Sequence, residues 1–337
     1  MRPRKGWENT RRRHLLPVLA GLLSTLLAVF PAAGFDLQGH RGARGLAPEN
    51  TVAAFRTALA IGVTTLELDV GVSRDGVLVI AHDPRLNPNF TRDARGQWLD
   101  AAAPAPALNT LTLAELQAFD IGRLKPGTRY AQTFAEQQPR DGEHIVSLNL
   151  LFAEVARWGA SQVRFNIETK LTPTEPALTP TPEVFAKLVV DTVRRAGLES
   201  RVTVQSFDWR TLLAVRQIAP LIQTVALTVQ SPNFDNLADG RWTAGLALAT
   251  YGGSVPRLVQ ASGVAIWSPN FQNLNEAALK EAQTLGLKVV PWTVNEPEAI
   301  ERMIGWGVDG LISDYPDRVR AALVKRGMPV PASLSAR

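Results

Sequence analysis

The sequence predicts an α/β protein, a (β/α)8 TIM barrel, and three observations predict it. Between residues 35 and 325, eight apolar strand candidates alternate with stretches of helical periodicity. A ninth candidate, 77–82, follows the second strand after only a short Asp75-Gly76 turn. That link is too short for a parallel crossover, so 77–82 is the arm of a hairpin and eight strands remain to close a barrel. Finally, His40, Glu67, Asp69, Glu168, Lys170 and Trp292 all fall near strand carboxyl ends, the face on which barrels carry active sites.

In chain order, residues 1–34 read as a signal peptide. A basic stretch ends at Arg13, an apolar run covers 15–30, and Ala32 and Gly34 fit a small-x-small cleavage site before Phe35. Arg12-Arg13 loosely resembles a twin-arginine signal. An uncleaved anchor is the alternative, because the apolar run approaches the lower limit of about 17 residues for a membrane span. The first strand is 37–41; Val52, Phe55 and Leu59 then mark a helix face that stops at Gly62. The second strand is 65–70.

Residues 84 to about 146 break the alternation with six prolines, and read as an insertion after the hairpin. Only 112–119 has helical character there, with Thr112 and Glu115 fitting a capping box. The alternation resumes with a helix from Leu148 to about Trp158, a strand at 163–170, a Pro/Thr-rich loop at 171–182 and a helix at 182–196. Further strands are expected at 202–207, 224–229, 264–268, 288–294 and 310–313. Residues 326–337 form a C-terminal tail. Ser-Pro-Asn-Phe occurs at 231–234 and again at 268–271, and we assign that repeat no function.

Composition excludes several classes of function. The 337 residues are 45% hydrophobic and 20% charged, which suits one large domain or a barrel with insertions. There is no cysteine, hence no disulfide, thiol nucleophile or cysteine metal site. The formal charge of +5 resides in residues 1–34, and the remainder balances 30 basic against 30 acidic residues. A nucleic-acid partner is therefore not expected, nor stable membrane association once the leader is cleaved.

The chemistry centres on residues 38–83. Glu67 and Asp69 alternate with Leu66, Leu68 and Val70, so in a strand the two carboxylates share one face. They repel one another unless a cation sits between them; a solvated strand face is the plainer alternative. With Asp75-Gly76 as a two-residue turn, Arg74 pairs with Val77 and Asp69 lies opposite His82. His40 and Arg41 add a second imidazole and a guanidinium. This set suits metal-assisted chemistry on an anionic substrate.

These residues resemble the glycerophosphodiester phosphodiesterases. The shared elements are His40-Arg41-Gly42, Pro48-Glu49-Asn50-Thr51, Glu67-Leu68-Asp69, Asp75-Gly76 and His82-Asp83, in that order and at family-like spacing. Gln205-Ser206-Phe207, Trp292-Thr293-Val294-Asn295 and residues 309–316 match as well. One departure is Ile145-Val146-Ser147-Leu148-Asn149-Leu150, where the family usually has Ile-Pro-Thr-Leu-Glu-Glu; Ser147 can still cap the helix. The resemblance implies a barrel with an insertion at this place. It implies Glu168 as third metal carboxylate with Glu67 and Asp69, and His40 and His82 as the acid–base pair. It also implies that Glu49 supports the metal, that Asn50 starts the helix and that Trp292 packs on the substrate; from the residues alone, either Asn50 or Thr51 can cap that helix. A Glu168–Lys170 ion pair and a buried barrel tryptophan are the respective structural alternatives.

Three carboxylates and a phosphodiester outweigh Arg41 and Lys170 by two charges, which one divalent cation neutralises. The all-oxygen donor set favours Ca²⁺ or Mg²⁺ over zinc, and no HExxH spacing is present. Arg41 suits a phosphate oxygen and Lys170 developing negative charge. The resemblance implies hydrolysis of small glycerophosphodiesters to glycerol 3-phosphate and an alcohol, and the leader makes the periplasm or the outside of the cell the expected location. The insertion and the 171–182 loop are expected to border the pocket. The alternatives are a related barrel phospholipase acting on sphingomyelin or lysophospholipid headgroups, and a non-catalytic extracytoplasmic binding barrel.

Overall fold

Strand β1 (Asp36–Gly39) opens a ladder of parallel strands in a computed structural model that describes residues 1–3 and 34–334. The expected leader thus falls, but for its two ends, outside the described residues. Helix α1 (Val52–Ile61) follows, then β2 (Thr65–Val72) and the antiparallel arm β3 (Leu78–Ile80). The insertion carries α2 (Leu113–Leu116) and α3 (Arg129–Thr133). The alternation then runs α4 (Leu148–Arg157), β4 (Arg164–Thr169), α5 (Pro182–Arg195), β5 (Val202–Ser206), α6 (Trp209–Ile218) and β6 (Gln223–Thr228). It ends with α7 (Val255–Ser262), β7 (Ile266–Pro269), α8 (Glu276–Thr284), β8 (Lys288–Val289), α9 (Pro297–Trp306), β9 (Gly310–Ser313) and α10 (Pro316–Lys325).

The strand order is β8-β7-β6-β5-β4-β2-β1-β9, with β3 off the path as a partner of β2 alone. Between the two ends of that order, Asp309 N donates to Val289 O (2.9 Å), Ile312 N to Pro291 O (3.0 Å) and Val294 N to Ile312 O (3.0 Å). These bonds bring the eight parallel strands nearly to closure. β8 is two residues long, not the expected 288–294. Pro291 and its neighbour across the ladder, Pro269, each lack an amide donor, so regular pairing stops there.

Alternation along the strands divides the molecule into an outer apolar shell and a lumen. Leu66, Leu68 and Val70 of β2 join the core shared with helix residues such as Phe55, Phe185 and Leu212. The lumen itself is two-sided. Val225, Ile266, Val290 and Ile312 fill one half. In the other half Asn166 donates to Gln38 Oε1 (2.9 Å) and Gln205 Oε1 (2.8 Å) and accepts from Thr203 (2.8 Å). A fully bonded amide layer can be buried without penalty; here it forms the floor beneath β2 and β4.

The hairpin differs from expectation by one residue. Val70 pairs with Ile80 and Val72 with Leu78, and Ser73 N donates to Val77 O at 3.0 Å. The loop is therefore the three residues Arg74, Asp75 and Gly76, and Asp69 lies opposite Ala81 instead of His82. Ser73 Oγ accepts from Val77 N (3.0 Å) and donates to Asp75 (2.6 Å), and Gly76 takes φ +76° with its N–H on Ser73 O. That is the turn-plus-bulge geometry of three-residue hairpins, which needs glycine at the left-handed position.

The Thr112–Glu115 capping box is present, but α3 is an additional helix, started by Thr128, which the polar sequence around it did not suggest. The insertion has its own small core, in which Leu86, Leu108, Leu116, Ile121 and Ile145 pack on Val79 of β3.

Candidate active site

The first loop winds tightly onto the head of α1. Gly42 (φ +86°) donates to Gly39 O and to Glu67 O, both at 3.2 Å. A Cβ there would lie 2.6 Å from the carbonyl carbon of Ala54, so only glycine fits. Arg41 and Asn50 are forced to positive φ, +50° and +57°. Such strain persists only where surrounding contacts over-determine it. Here they do: Arg41 N donates to Glu67 Oε2 (2.8 Å), Asn50 N to Arg41 O (3.0 Å), and the Asn50 amide to Asp69 Oδ2 (2.9 Å). Thr51, not Asn50, caps α1, by accepting from Ala54 N. Asn50 instead orients a carboxylate, because its left-handed backbone turns the side chain away from the helix.

Glu67, Asp69 and Glu168 converge as the sequence suggested, with one oxygen of each within 4.8 Å of the others. Asp69 and Glu168 are register partners on adjacent parallel strands, and all three are buried. Gln205 donates to Glu67 Oε1 at 2.6 Å, Lys170 to Glu168 Oε1 at 2.6 Å, and Lys170 Nζ lies 3.6 Å from Asp69 Oδ1. The Glu168–Lys170 pair and the carboxylate cluster therefore coexist. Burial pushes Glu67 well above the usual carboxylate range, reinforced by the charges of Asp69 and Glu168. Burial also raises Glu168 to about 7, against Lys170 and with Asp69. Asp69 is also raised by burial, but Arg41, His82 and Lys170 outweigh that and hold it low. Of the three, only Asp69 is held below the usual carboxylate range by the protein's own charges. Asp69 Oδ1 is buried with no hydrogen-bond partner. An acceptor left bare beside two carboxyls that resist ionisation fits a hard divalent cation.

Each histidine is tethered by an aspartate. His40 Nδ1 lies 2.6 Å from Asp314 Oδ1, and its Nε2 points to Glu67 Oε2 at 3.9 Å. Asp314 also accepts from Arg44 Nε (2.8 Å) and Nη2 (3.1 Å) and from Asn295 Nδ2 (2.7 Å). Burial opposes the charge of Asp314, but Arg44 and His40 hold it well below the usual range. Burial lowers His40 to about 4, with Arg44 adding and Asp314 opposing. A neutral ring beside an ionised carboxylate donates from Nδ1, which leaves Nε2 as a free base toward the cluster. His82 Nδ1 is 2.8 Å from Asp83 Oδ1, and the other oxygen, Asp83 Oδ2, accepts from Asn87 Nδ2 (2.7 Å). His82 is lowered by partial burial and by Arg41 and Lys170. Although β3 ends before it, His82 reaches the same cleft.

That cleft holds about 460 Å³ and brings together His40, His82, Arg41, Glu67, Glu168, Lys170 and Trp292. Arg44, Gln205 and Phe207 also line it. The sequence reading assigned no role to these three, or to Asp83 and Asp314. Asp83 adjoins His82, which was a usable signal; Asp314 is 274 residues from His40, and only folding pairs them. Trp292 donates to Ser268 O (2.9 Å) and stands edge-on to Phe207, with centroids 5.3 Å apart.

Glu49 departs from expectation. It is not one of the converging carboxylates; it accepts from Arg41 Nη1 at 2.6 Å and from the Tyr130 hydroxyl. Arg41 Nε in turn lies 3.2 Å from Asp69 Oδ2. Glu49 therefore holds the arginine. Neither the insertion nor the 171–182 loop lines the cleft. The insertion borders a separate, narrow crevice under His82 and Asp83, walled by Leu86, Leu108 and Ile121.

Comparison with known proteins agrees with this geometry. The sequence profile of the glycerophosphoryl diester phosphodiesterase family matches residues 40–318. A glycerophosphodiester phosphodiesterase of Caldanaerobacter subterraneus is 29% identical over 288 residues, covering 86% of this chain and 97% of that protein. A crystal structure of a Silicibacter pomeroyi chain given the same family name superimposes with a TM-score of 0.77 at 36% identity, covering 86% of this chain and 93% of that one. An Oleispira antarctica phosphodiesterase, solved with its product sn-glycerol-3-phosphate, shares the fold at a TM-score of 0.61 and 21% identity over 85% of this chain and 96% of that one. With the profile spanning both aspartate-tethered histidines and the three carboxylates between them, the chain belongs to the glycerophosphoryl diester phosphodiesterase family.

Proposed function

We propose that this enzyme hydrolyses small glycerophosphodiesters to glycerol 3-phosphate and an alcohol. The observation that carries the reading is the convergence of two aspartate-tethered imidazoles on a buried triad able to ionise only in part by itself. Glu67, Asp69 and Glu168 would hold one divalent cation, Ca²⁺ or Mg²⁺, since every donor is a carboxylate oxygen. When bound, such a cation supplies Lewis acidity toward a phosphoryl oxygen and helps orient the nucleophile.

The chain's own residues do the rest. Arg41 and Lys170 hold and neutralise the phosphodiester. One imidazole Nε2 takes a proton from the attacking oxygen as the new P–O bond forms, that oxygen being water itself or a substrate hydroxyl whose cyclic phosphate water then opens to glycerol 3-phosphate. The other histidine, protonated, gives its proton to the leaving alkoxide as the old P–O bond breaks. Asp314 and Asp83 keep each ring in the required tautomer. Trp292 and Phe207 wall the cleft beside the phosphate-binding cations.

We further propose export, with residues 1–34 as a leader and the barrel working in the periplasm or outside the cell. Among the described residues, no helix is long and apolar enough to cross a membrane.

The test is to incubate purified protein with glycerophosphocholine, glycerophosphoethanolamine and glycerophosphoglycerol and measure glycerol 3-phosphate. Release should stop on chelation with EDTA and return with Ca²⁺ or Mg²⁺. Turnover of sphingomyelin or lysophosphatidylcholine alone would overturn the reading in favour of a phospholipase.

A further inference from the structure

The insertion touches the site at several points, and one of them, Tyr130, bears on the arginine proposed to hold the phosphate. Tyr130, on α3, donates its hydroxyl to Glu49, whose other oxygen accepts from Arg41 Nη1 at 2.6 Å. Burial and the Glu49 charge push the phenol up, so it remains a donor. Arg44 Nη1 reaches the same hydroxyl at 3.4 Å, and the Arg44 guanidinium lies 4.5 Å above the ring of Phe134. Phe134 in turn packs edge-on against Tyr130, with centroids 5.1 Å apart. The following residues grip the same loop: Gln137 donates to Arg44 O (2.7 Å) and Gln138 N to Leu46 O (2.9 Å).

We propose that Tyr130 is a positioning residue through which the insertion fixes Arg41 for the substrate phosphate. Arg41 has a long side chain and a strained backbone, and Asp69 competes for its Nε at 3.2 Å. A guanidinium drawn onto Asp69 is lost to the substrate and lies against the carboxylate cluster. Glu49 opposes this pull by holding Nη1 at the other edge of the guanidinium, and it can do so only while its own orientation is set. The Tyr130 hydroxyl sets it by occupying the second carboxylate oxygen. Removing one hydrogen bond to a buried charged group leaves that group under-satisfied and mobile. The insertion thus acts on substrate binding without lining the cleft. This inference rests on Arg41 as the phosphate-holding group.

Tyr130→Phe keeps the ring and its packing on Phe134 and Phe90 and removes only the hydroxyl. The expected result is a KM for glycerophosphocholine raised about tenfold, the scale of one charge-assisted hydrogen bond, with kcat changed less than about twofold. The dissociation constant of sn-glycerol 3-phosphate, read by calorimetry, should rise in parallel. Glu49→Gln should produce the same pattern, and serves if the tyrosine variant does not fold. In an Arg41→Lys background, Tyr130→Phe should add nothing, because the group it positions is gone. An unchanged KM and product affinity in both single variants would overturn the proposal. So would an equal loss with and without Arg41, which would mark Tyr130 as a purely structural residue. If the wild-type protein turns over no phosphodiester, the functional reading fails, while sn-glycerol 3-phosphate binding still decides this one.

Discussion

At the scale of single residues, the site pairs groups whose environments drive their protons apart. Asp314 and Asp83 are held ionised, while His40 and His82 are held neutral. Each imidazole therefore presents Nε2 as a base, and under the proposed mechanism the histidine that acts as acid must be protonated during turnover. His40→Ala and His82→Ala should each lower kcat by about 10²–10⁴-fold with little change in KM, since proton transfer acts in the transition state. Steady-state kinetics on glycerophosphocholine checks this; a KM effect alone would mark the histidines as binding groups. A second outcome concerns the triad. Glu168 sits at about 7 without a cation, so at lower pH a cation must displace its proton. Affinity for Ca²⁺ or Mg²⁺ should therefore rise with pH through about 7, with Glu67, also raised by burial, adding to the rise. Calorimetry in buffers of different ionisation enthalpy should detect proton release on binding; binding at about pH 6 to 7 without proton release would contradict this.

At the scale of elements, the β1–α1 loop carries the greatest concentration of strain. Arg41, Gly42 and Asn50 all adopt positive φ within the loop that delivers three cleft-lining side chains, His40, Arg41 and Arg44. Gly42→Ala combines that backbone conformation with a clash against the α1 backbone, so it should cost about 1–3 kcal/mol. A urea midpoint shift with unchanged m-value measures it, and activity should fall further than stability because Arg41 moves with the loop. Gly76 is the informative contrast. It too has positive φ, but an added Cβ meets nothing within 4 Å. Gly76→Ala should cost only the conformational part, about 1 kcal/mol, with kcat preserved.

At the scale of the whole molecule, the basic excess lies in residues 1–34 and the body is balanced. Processing there should yield a neutral enzyme suited to a small monoanionic substrate and not to a polyanion. N-terminal sequencing of protein from the periplasmic fraction should begin near Phe35, and intact Met1 in the cytoplasm would contradict export. The polar half of the lumen, Gln38, Asn166, Thr203 and Gln205, connects this scale to the chemistry. It is a rigid hydrogen-bonded floor whose uppermost member, Gln205, orients Glu67.

The sequence by itself determined what depends on local period. Strand alternation put Glu67 and Asp69 on one face, and the position of Glu168 and Lys170 in their strand put both near its carboxyl end. The count of strands left one barrel. The Thr112 capping box and the Gly62 stop were legible because caps act within one helical turn. What only the tertiary structure decided was the choice of partner. A two-residue reading of Asp75-Gly76 was reasonable, but Ser73 closes a three-residue loop and shifts the register by one. Asn50 and Glu49 look like a cap and a metal support in a linear motif. In space, Asn50 meets Asp69, and Glu49 meets Arg41 and a tyrosine 81 residues away. Periodicity fixes which way a side chain points, whereas the nearest opposite charge or hydroxyl depends on where distant loops close, and no local pattern encodes that distance.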